Sequence, residues 1–183
     1  MRIISGASRG RRLARPQGQA IRPTSDRVKE SLFNILGGEV KDKVVLDLFA
    51  GTGNLGIEAL SRGATRVVFV ENEGQALGII QRNLQQCAMT PRSEILPMDV
   101  SRAIEILNRK RERFDIIMMD PPYRQGFLQA TLEHLEAYPI HHEDSLVIIE
   151  HDRRECFSDS LNGWKLLRDR KFGDTLISFV TPL

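Results

Sequence analysis

The feature that most constrains the fold is a regular alternation of short apolar segments with amphipathic segments between residues 44 and 150. Apolar runs such as Val44-Val45-Leu46 have no polar face, which is typical of strands covered on both sides of a sheet. Between the runs, apolar residues recur at the spacing of a helix with one buried face, as in Ala76, Ile80 and Leu84. This alternation predicts a parallel sheet with helices on both faces.

The predicted elements cover most of the chain. We place strands at 44–49, 66–71, 94–98, 114–119 and 146–150, and helices at 25–36, 54–62, 75–88, 100–107 and 126–137. Two further strands, at 164–168 and 175–180, are separated by a short loop with Gly173-Asp174, so we expect an antiparallel hairpin. The predicted fold class is therefore α/β, a Rossmann-like and mostly parallel seven-stranded sheet with a C-terminal antiparallel hairpin.

Basic side chains are concentrated near the N-terminus. Residues 1–30 carry eight Lys or Arg against two Asp or Glu, whereas the whole chain has a net charge of +2. Two β-prone stretches around Ile3-Ile4 and Leu13 are punctuated by glycines, which predicts a small β-hairpin. We divide the chain into a basic arm at 1–22 and one domain at 23–183. Two explanations of these basic residues remain open. They contact the phosphates of a polyanionic partner, or they belong to a terminus that lies free in solvent.

Composition excludes several classes of protein. The chain has 183 residues, of which 41% are hydrophobic and 27% charged, as in ordinary globular proteins. No apolar run approaches the ~20 residues that cross a bilayer, and no secretory apolar region is present near the start, so we expect a cytoplasmic protein with no membrane partner. Cys87 and Cys156 have no cysteine or histidine at ligand spacing, so we expect neither a disulfide nor a metal site.

A glycine-rich turn follows the first predicted strand, where doubly wound folds bind nucleotides. Residues 47–56 read Asp-Leu-Phe-Ala-Gly-Thr-Gly-Asn-Leu-Gly. Gly51 and Gly53 allow close backbone approach to a ligand, and Gly56 allows the helix to pack on the strand. Glu71 ends the next strand, where a carboxylate can accept hydrogen bonds from a ribose diol. NAD, FAD and S-adenosylmethionine sites use such turns, as do purely structural loops.

Asp47 helps to separate these ligands. A pyrophosphate binds helix amides and disfavours a nearby anion, whereas S-adenosylmethionine carries an ammonium and a sulfonium and no phosphate. A carboxylate at this strand end therefore favours the methyl donor. The alternative is that Asp47 caps the turn.

The sequence Asp-Pro-Pro-Tyr at 120–123 follows another buried strand and reaches the same edge of the predicted sheet. Prolines donate no backbone hydrogen bonds, so the Asp120 and Pro121 carbonyls can face a ligand. The Asp120 carboxylate and the Pro121 carbonyl can accept the two protons of a nucleobase amine, and Tyr123 offers a face for base stacking. A strand ended by a Pro-Pro turn is the alternative, which the adjacent glycine turn disfavours.

These paired motifs resemble those of S-adenosylmethionine-dependent amino-methyltransferases. The match extends nearly end to end to the bacterial 16S rRNA guanine-N2 methyltransferase family called RsmD. It is carried by the segments at 2–6, 9–11, 22–27, 48–53, 55–64 and 171–175. Two positions depart from the pattern of the family, Asn54 and Phe172, and we expect neither to touch the chemistry.

Membership implies S-adenosylmethionine as donor, S-adenosylhomocysteine as product, and one guanine of 16S rRNA as acceptor, within the small ribosomal subunit or its late precursor. The implied cofactor-binding residues are Asp47, Phe49, Gly51, Gly53, Glu71 and Asp99, the last at the adenine amine or as the N-cap of the next helix. The implied catalytic residues are Asp120, Pro121 and Tyr123. The implied substrate-binding residues are Arg9, Arg11, Arg12, Arg22, Thr24, Arg27 and Pro122.

Other acceptors remain open from spacing alone. DNA adenine and protein glutamine methyltransferases share the two motifs, and a nicotinamide oxidoreductase would use the glycine turn and Glu71 but not Asp47 or the Asp-Pro-Pro-Tyr segment. A non-catalytic RNA-binding protein is a further alternative. Roughly 140 residues of methyltransferase core leave no room for a DNA target-recognition domain, which favours a folded RNA read by shape. We expect a monomer.

Overall fold

The computed structural model describes residues 1–15, 26–155 and 163–183. The strands are β1 Val44–Leu48, β2 Arg66–Glu71, β3 Ser93–Pro97, β4 Phe114–Met119, β5 His141–Asp152, β6 Trp164–Phe172 and β7 Thr175–Pro182. The helices are α1 Asp26–Leu36, α2 Asn54–Ser61, α3 Gly74–Gln86, α4 Val100–Arg109 and α5 Phe127–Ala137, with a short 3-10 helix at Thr90–Arg92. Within the described ranges, none of the helices combines the length and apolar character needed to cross a membrane.

All seven strands form one sheet, in the order β3-β2-β1-β4-β5-β7-β6. Strands β1 to β5 pair in parallel, and β7 pairs antiparallel with both β5 and β6. The predicted α/β fold class with a C-terminal hairpin is confirmed. The chain order reverses between β1 and β4, and crevices at such switch points are where open α/β sheets bind ligands.

Helices cover the sheet on both faces, as the apolar strands predict. One buried cluster joins α1, α2 and α3 to the sheet through residues such as Phe33, Phe69 and Phe179. The other joins α4 and α5 to the opposite face through Ile104 and Leu135. Gly56 has the packing role expected of it, because a Cβ there would lie only 2.3 Å from the ring of Phe69.

Two strands are longer than their sequence patterns indicate. β5 begins at His141 rather than at 146, and β6 continues to Phe172 rather than ending at 168. Residues 165–171 are exposed, because β6 is the outer strand of the sheet and needs no apolar face to pair with β7. The two-residue loop Gly173-Asp174 closes the hairpin, with Phe172 opposite Thr175.

The N-terminal hairpin is present and attached to the domain. Ile3 N donates to Arg11 O and Leu13 N donates to Met1 O, at 2.9 and 3.2 Å. Ile3 and Leu13 are buried in the cluster with α2 and α3. For residues 1–15 the alternative of a solvated terminus is therefore wrong. The proposed boundary at 22/23 and the expected helix cap Ser25 lie outside the described residues, as does Cys156.

Lys29 is one of the eight basic residues counted in 1–30, but it does not lie at the surface. Its side chain is fully buried, and its Nζ donates to Arg2 O at 2.7 Å and to Asn54 Oδ1 at 2.8 Å. Glu58 Oε2 lies 3.3 Å away, and the Glu58 carboxylate also accepts hydrogen bonds from Ile4 N and Ser5 N. Lys29 thus holds the arm onto α2 and is not available to a polyanion.

Candidate active site

A cavity of about 890 Å³ opens at the carboxyl edge of the sheet, beside the ends of β1, β2 and β4. The glycine turn, the start of α4, the Asp-Pro-Pro-Tyr segment, α5 and the β6–β7 loop contribute to its wall. Nine of the residues predicted for the site line this cavity: Arg27, Phe49, Gly51, Glu71, Asp99, Asp120, Pro121, Pro122 and Tyr123. The two motifs, with 63 residues between them in sequence, therefore share one site.

The glycine turn presents backbone to the cavity at Gly51. Its φ is +55°, and a Cβ there would meet nothing closer than Phe49 O at 4.0 Å. Gly53 has φ +76°, but its Cβ position points at Ile57 Cδ1, 3.2 Å away in the core. Gly53 therefore allows the turn to pack and does not line the cavity.

Asp47 also lies outside the cavity lining. Its side chain is 2% exposed, and Oδ2 accepts a hydrogen bond from Gly56 N at 2.8 Å. Burial raises the pKa of Asp47 to about 7, the charge of Glu71 acts in the same direction, and the Gly56 bond opposes it. The structure thus shows the turn-capping role that was the alternative for this residue.

Glu71 is fixed at the end of β2 by backbone amides. Its Oε2 accepts from Gly51 N at 2.7 Å, and its Oε1 accepts from Asn72 N and Glu73 N, both at 2.8 Å. Among the described residues Oε2 has one hydrogen-bond donor, so it retains a lone pair for a ligand hydroxyl. The carboxylate therefore connects the glycine turn to the position predicted for a ribose.

Asp99 stands at the N-cap position of α4, but its side chain makes no capping hydrogen bond. Instead Asp99 Oδ1 accepts from Asn72 Nδ2 at 2.6 Å. Asp99 is therefore the N-cap residue, as expected, but the prediction that its side chain caps the helix is wrong. The carboxylate faces the cavity beside the apolar side chains of Met98 and Val100, a combination suited to a purine ring with an amino group.

The Tyr123 phenol is held by two strands that the motif analysis did not include. Its O–H donates to Glu150 Oε1 on β5 at 3.0 Å, and the oxygen lies 3.3 Å from Thr175 Oγ1 on β7. Burial raises the pKa of Tyr123, and the nearby carboxylate of Glu150 adds to the effect. The phenol is therefore neutral, and its ring orientation is fixed.

The sequence offered a signal for Glu150 but not for Thr175. Glu150 is a carboxylate directly after the apolar run 146–149 at a predicted strand end, and it lines the cavity. Thr175 reaches the site only through strand pairing. Phe172 also lines the cavity, a position that the sequence did not indicate for it. Asn54 does lie away, bonded to Lys29.

The aromatic wall on the other side of the cavity is built from Phe49 and Phe127. Their ring centroids are 6.0 Å apart in an edge arrangement. Phe49 adopts φ +60°, unusual for a residue with a Cβ, and this ends β1 one residue before the predicted boundary. Phe127 is a site residue that the sequence analysis missed, because its position is equally typical of the first turn of a helix.

The predicted arginines fall in two places. Arg27 lines the cavity, whereas Arg9, Arg11 and Arg12 are exposed on the arm. The Arg11 guanidinium donates to Gln86 O at 2.6 Å, which ties the arm to the end of α3. Arg22 and Thr24 lie outside the described residues.

The charges of the cavity wall suit a cationic ligand. Among the described residues, four carboxylates line it, from Glu71, Asp99, Asp120 and Glu150, against two cations, from Arg27 and Lys171. S-adenosylmethionine has a hydroxyl pair for Glu71, an adenine for the slot beside Asp99 and a positively charged end. A dinucleotide would bring its pyrophosphate to this acidic wall. The residues present therefore fit the methyl donor.

Comparisons with known proteins agree with the site. The family model described as Conserved hypothetical protein 95 matches residues 1–181. YlbH of Bacillus subtilis is 37% identical over 175 residues, covering 96% of this chain and 95% of that protein. Ribosomal RNA small subunit methyltransferase D of Escherichia coli is 34% identical over 173 residues, covering 94% and 85%. The solved structure of yhhF from Escherichia coli superimposes with a TM-score of 0.86 at 32% identity, covering 100% and 97%. The chain therefore belongs to the Conserved hypothetical protein 95 family, the RsmD family of S-adenosylmethionine-dependent methyltransferases.

Proposed function

We propose that this chain transfers a methyl group from S-adenosylmethionine to the exocyclic N2 amine of one guanine in 16S rRNA. The observation that carries the proposal is the cavity shared by Gly51, Glu71 and the Asp-Pro-Pro-Tyr segment. The name of the Escherichia coli relative supports ribosomal RNA of the small subunit as substrate. The rRNA is presented in the small subunit or its late precursor, and the enzyme acts as a cytoplasmic monomer.

The residues of the chain supply orientation rather than covalent chemistry. When bound, S-adenosylmethionine supplies an electrophilic methyl group and leaves as neutral S-adenosylhomocysteine. The lone pair of a guanine amine is delocalised into the ring, which makes the amine a poor nucleophile. Hydrogen bonds from the amine to the Asp120 carboxylate and the Pro121 carbonyl favour a pyramidal nitrogen with its lone pair directed at the methyl group. After transfer, the methylated nitrogen releases its extra proton to water and becomes the neutral N-methyl amine.

The acceptor base must leave its stack to reach this cavity. Stacking on Tyr123 stabilises the flipped base, by about 1–3 kcal/mol on comparable aromatic platforms. Arg27 at the cavity and the exposed Arg9 and Arg12 of the arm supply phosphate contacts. Because the arm is packed on the domain, it presents these cations in a fixed position relative to the cavity.

A tritium-transfer assay tests the proposal against its alternatives. The enzyme is offered small subunits from cells lacking this gene, free rRNA, duplex DNA and protein, and the methylated base is identified after nuclease digestion. We expect N2-methylguanine from small subunits. Labelled adenine in DNA or labelled glutamine would identify a different acceptor and overturn the proposal.

The variant Asp120→Ala tests the acceptor side of the active site separately from the donor side. It removes one acceptor of the amine protons but leaves the donor side of the cavity intact. We expect loss of methyl transfer with S-adenosylhomocysteine affinity retained by calorimetry. Full turnover by this variant would exclude the proposed role of Asp120.

A further inference from the structure

Strand β6 carries an exposed row of cations that the motifs do not account for. It is the outer strand of the sheet, and residues 165–171 are all exposed. Four of these seven residues are basic: Lys165, Arg168, Arg170 and Lys171. The single acidic residue among them, Asp169, accepts a hydrogen bond from Ser178 Oγ at 2.6 Å.

These four cations lack partner carboxylates within the described part of the chain. Several other cations of the domain are paired, namely Arg66 with Glu94 and Glu112, Arg124 with Asp152, and Arg153 with Asp174. None of the four on β6 forms an ion pair with a described residue. Charged side chains protect an edge strand from pairing with another chain, but that role does not require a cation at the mouth of the active-site cavity, which Lys171 lines.

The row leads directly into the active site. Lys171, Phe172 and Gly173 line the cavity, and the strand then runs about 20 Å outward to Lys165 at ~3.3 Å per residue. The arm lies towards the opposite edge of the sheet from β6. It bonds to Ser61 of α2 and Gln86 of α3, and these helices pack against β2 and β3. Ser61 and Gln86 are the last residues of α2 and α3, so these contacts lie at the amino edge of the sheet, away from the cavity, whereas β6 reaches the cavity itself.

The side chains of Arg168 and Arg170 are held in place by contacts within the protein. The Arg168 guanidinium lies 5.7 Å from the centre of the Phe179 ring, and Arg170 Nη1 donates to Asp169 O at 3.1 Å. Residues two apart on a strand share a face and are about 7 Å apart. The guanidinium groups are thus presented at intervals along one face, where phosphates can accept their hydrogen bonds.

We propose that β6 is a second rRNA-binding surface, distinct from the arm, which takes the backbone phosphates next to the flipped guanine. Arg168 and Arg170 contact phosphates from one face of β6, and Lys171, whose side chain leaves the opposite face, contacts a phosphate at the cavity mouth. The inference rests on the proposed function, because it requires the acceptor nucleotide to lie in this cavity.

The test compares two charge-neutralising double variants of the full chain. Arg168→Gln/Arg170→Gln removes two cations of β6, and Arg109→Gln/Lys110→Gln removes two exposed cations at the far end of α4. Affinity for small subunits from cells lacking this gene is measured at 50 and 200 mM salt. Each lost phosphate contact lowers the log–log salt slope by ~0.7–0.9, so the affinity ratio between the two salts should fall about 7- to 12-fold for the β6 variant. The control should match the wild type.

Further readouts separate the possible outcomes. S-adenosylhomocysteine affinity and the unfolding midpoint should be unchanged, and Lys165→Gln/Arg170→Gln replaces the first variant if loss of the Arg168 contact with Phe179 lowers stability. An unchanged salt slope overturns the proposed surface. The proposal is also overturned if Leu166→Ser/Leu167→Ser loses affinity for small subunits and the arginine variants do not. That result would indicate that β6 contacts a protein through its leucines. If the wild type methylates no small-subunit rRNA, the proposed function itself is wrong.

Discussion

The Tyr123 O–H donates a hydrogen bond to Glu150 Oε1 at 3.0 Å, joining the Asp-Pro-Pro-Tyr loop to β5. Glu150 is only 7% exposed, so the acceptor is shielded from competing water. A loop residue that serves as a stacking platform loses its orientation easily, and a buried acceptor on a central strand prevents that loss. Glu150 is therefore a positioning residue for the face of Tyr123.

Removing this acceptor should reduce turnover without affecting the donor. For Glu150→Ala we expect kcat to fall roughly 5- to 30-fold, as for loss of about 1–2 kcal/mol of a buried hydrogen bond. Glu150→Gln keeps an acceptor oxygen and should restore most of the rate. Glu143→Gln, an exposed carboxylate on the same strand, is the control. Equal losses in the alanine and glutamine variants would show that charge, rather than the bond to Tyr123, matters.

Glu71 should control donor affinity. Glu71→Ala removes the carboxylate that accepts from Gly51 N and faces the cavity, so we expect S-adenosylhomocysteine to bind roughly 10- to 150-fold more weakly, as for about 1.5–3 kcal/mol of hydrogen bonding to a charged group. Isothermal calorimetry measures the change, with the exposed neighbour Glu73→Ala as control. Unchanged affinity would remove Glu71 from the donor site.

The buried pair of Lys29 and Glu58 should dominate the attachment of the arm. Lys29→Met removes this cation from the buried Glu58 carboxylate, which keeps the Arg62 guanidinium at 2.9 Å, so we expect a loss of about 1–3 kcal/mol in the free energy of unfolding. Urea denaturation measures the loss, and the exposed Lys41→Met serves as control. Adding Glu58→Gln should recover part of it. Hydrogen exchange at Ile4 and Ser5, whose amides bond to Glu58, should accelerate in Lys29→Met, and unchanged protection would contradict the assignment.

Asp47 should make stability depend on pH. Its pKa is raised from 3.8 to about 7 in the folded chain, so the folded state favours the protonated form. This contribution is fully present below pH 4 and is lost as the pH rises to 7, by up to about 4 kcal/mol. Asp47→Asn keeps an acceptor for Gly56 N and cannot ionise, so its stability relative to the wild type should increase between pH 4.5 and pH 8. A constant difference across this range would contradict the raised pKa.

Local sequence patterns were sufficient for the sheet, its helices and most of the site. The bounds of β2 and β4 match the prediction because buried parallel strands read as continuous apolar runs. The glycine turn and the Asp-Pro-Pro-Tyr segment were placed together because parallel strands bring their carboxyl ends to one edge. The polar residues at 168–171 concealed the second half of β6, which runs to Phe172, since an edge strand needs no apolar pattern.

The sequence by itself determined the fold class, the shared cavity and the family of this protein, because these depend on apolar periodicity and on motifs contiguous in the chain. Only the tertiary structure decided that Lys29 is buried, that Asp47 supports the turn, and that Glu150 and Thr175 hold Tyr123. Each of these depends on contacts between segments distant in sequence, and a charged or hydroxyl side chain carries no local sign of what it will meet there. Burial and pairing were therefore set by the packing of elements whose positions the sequence indicated.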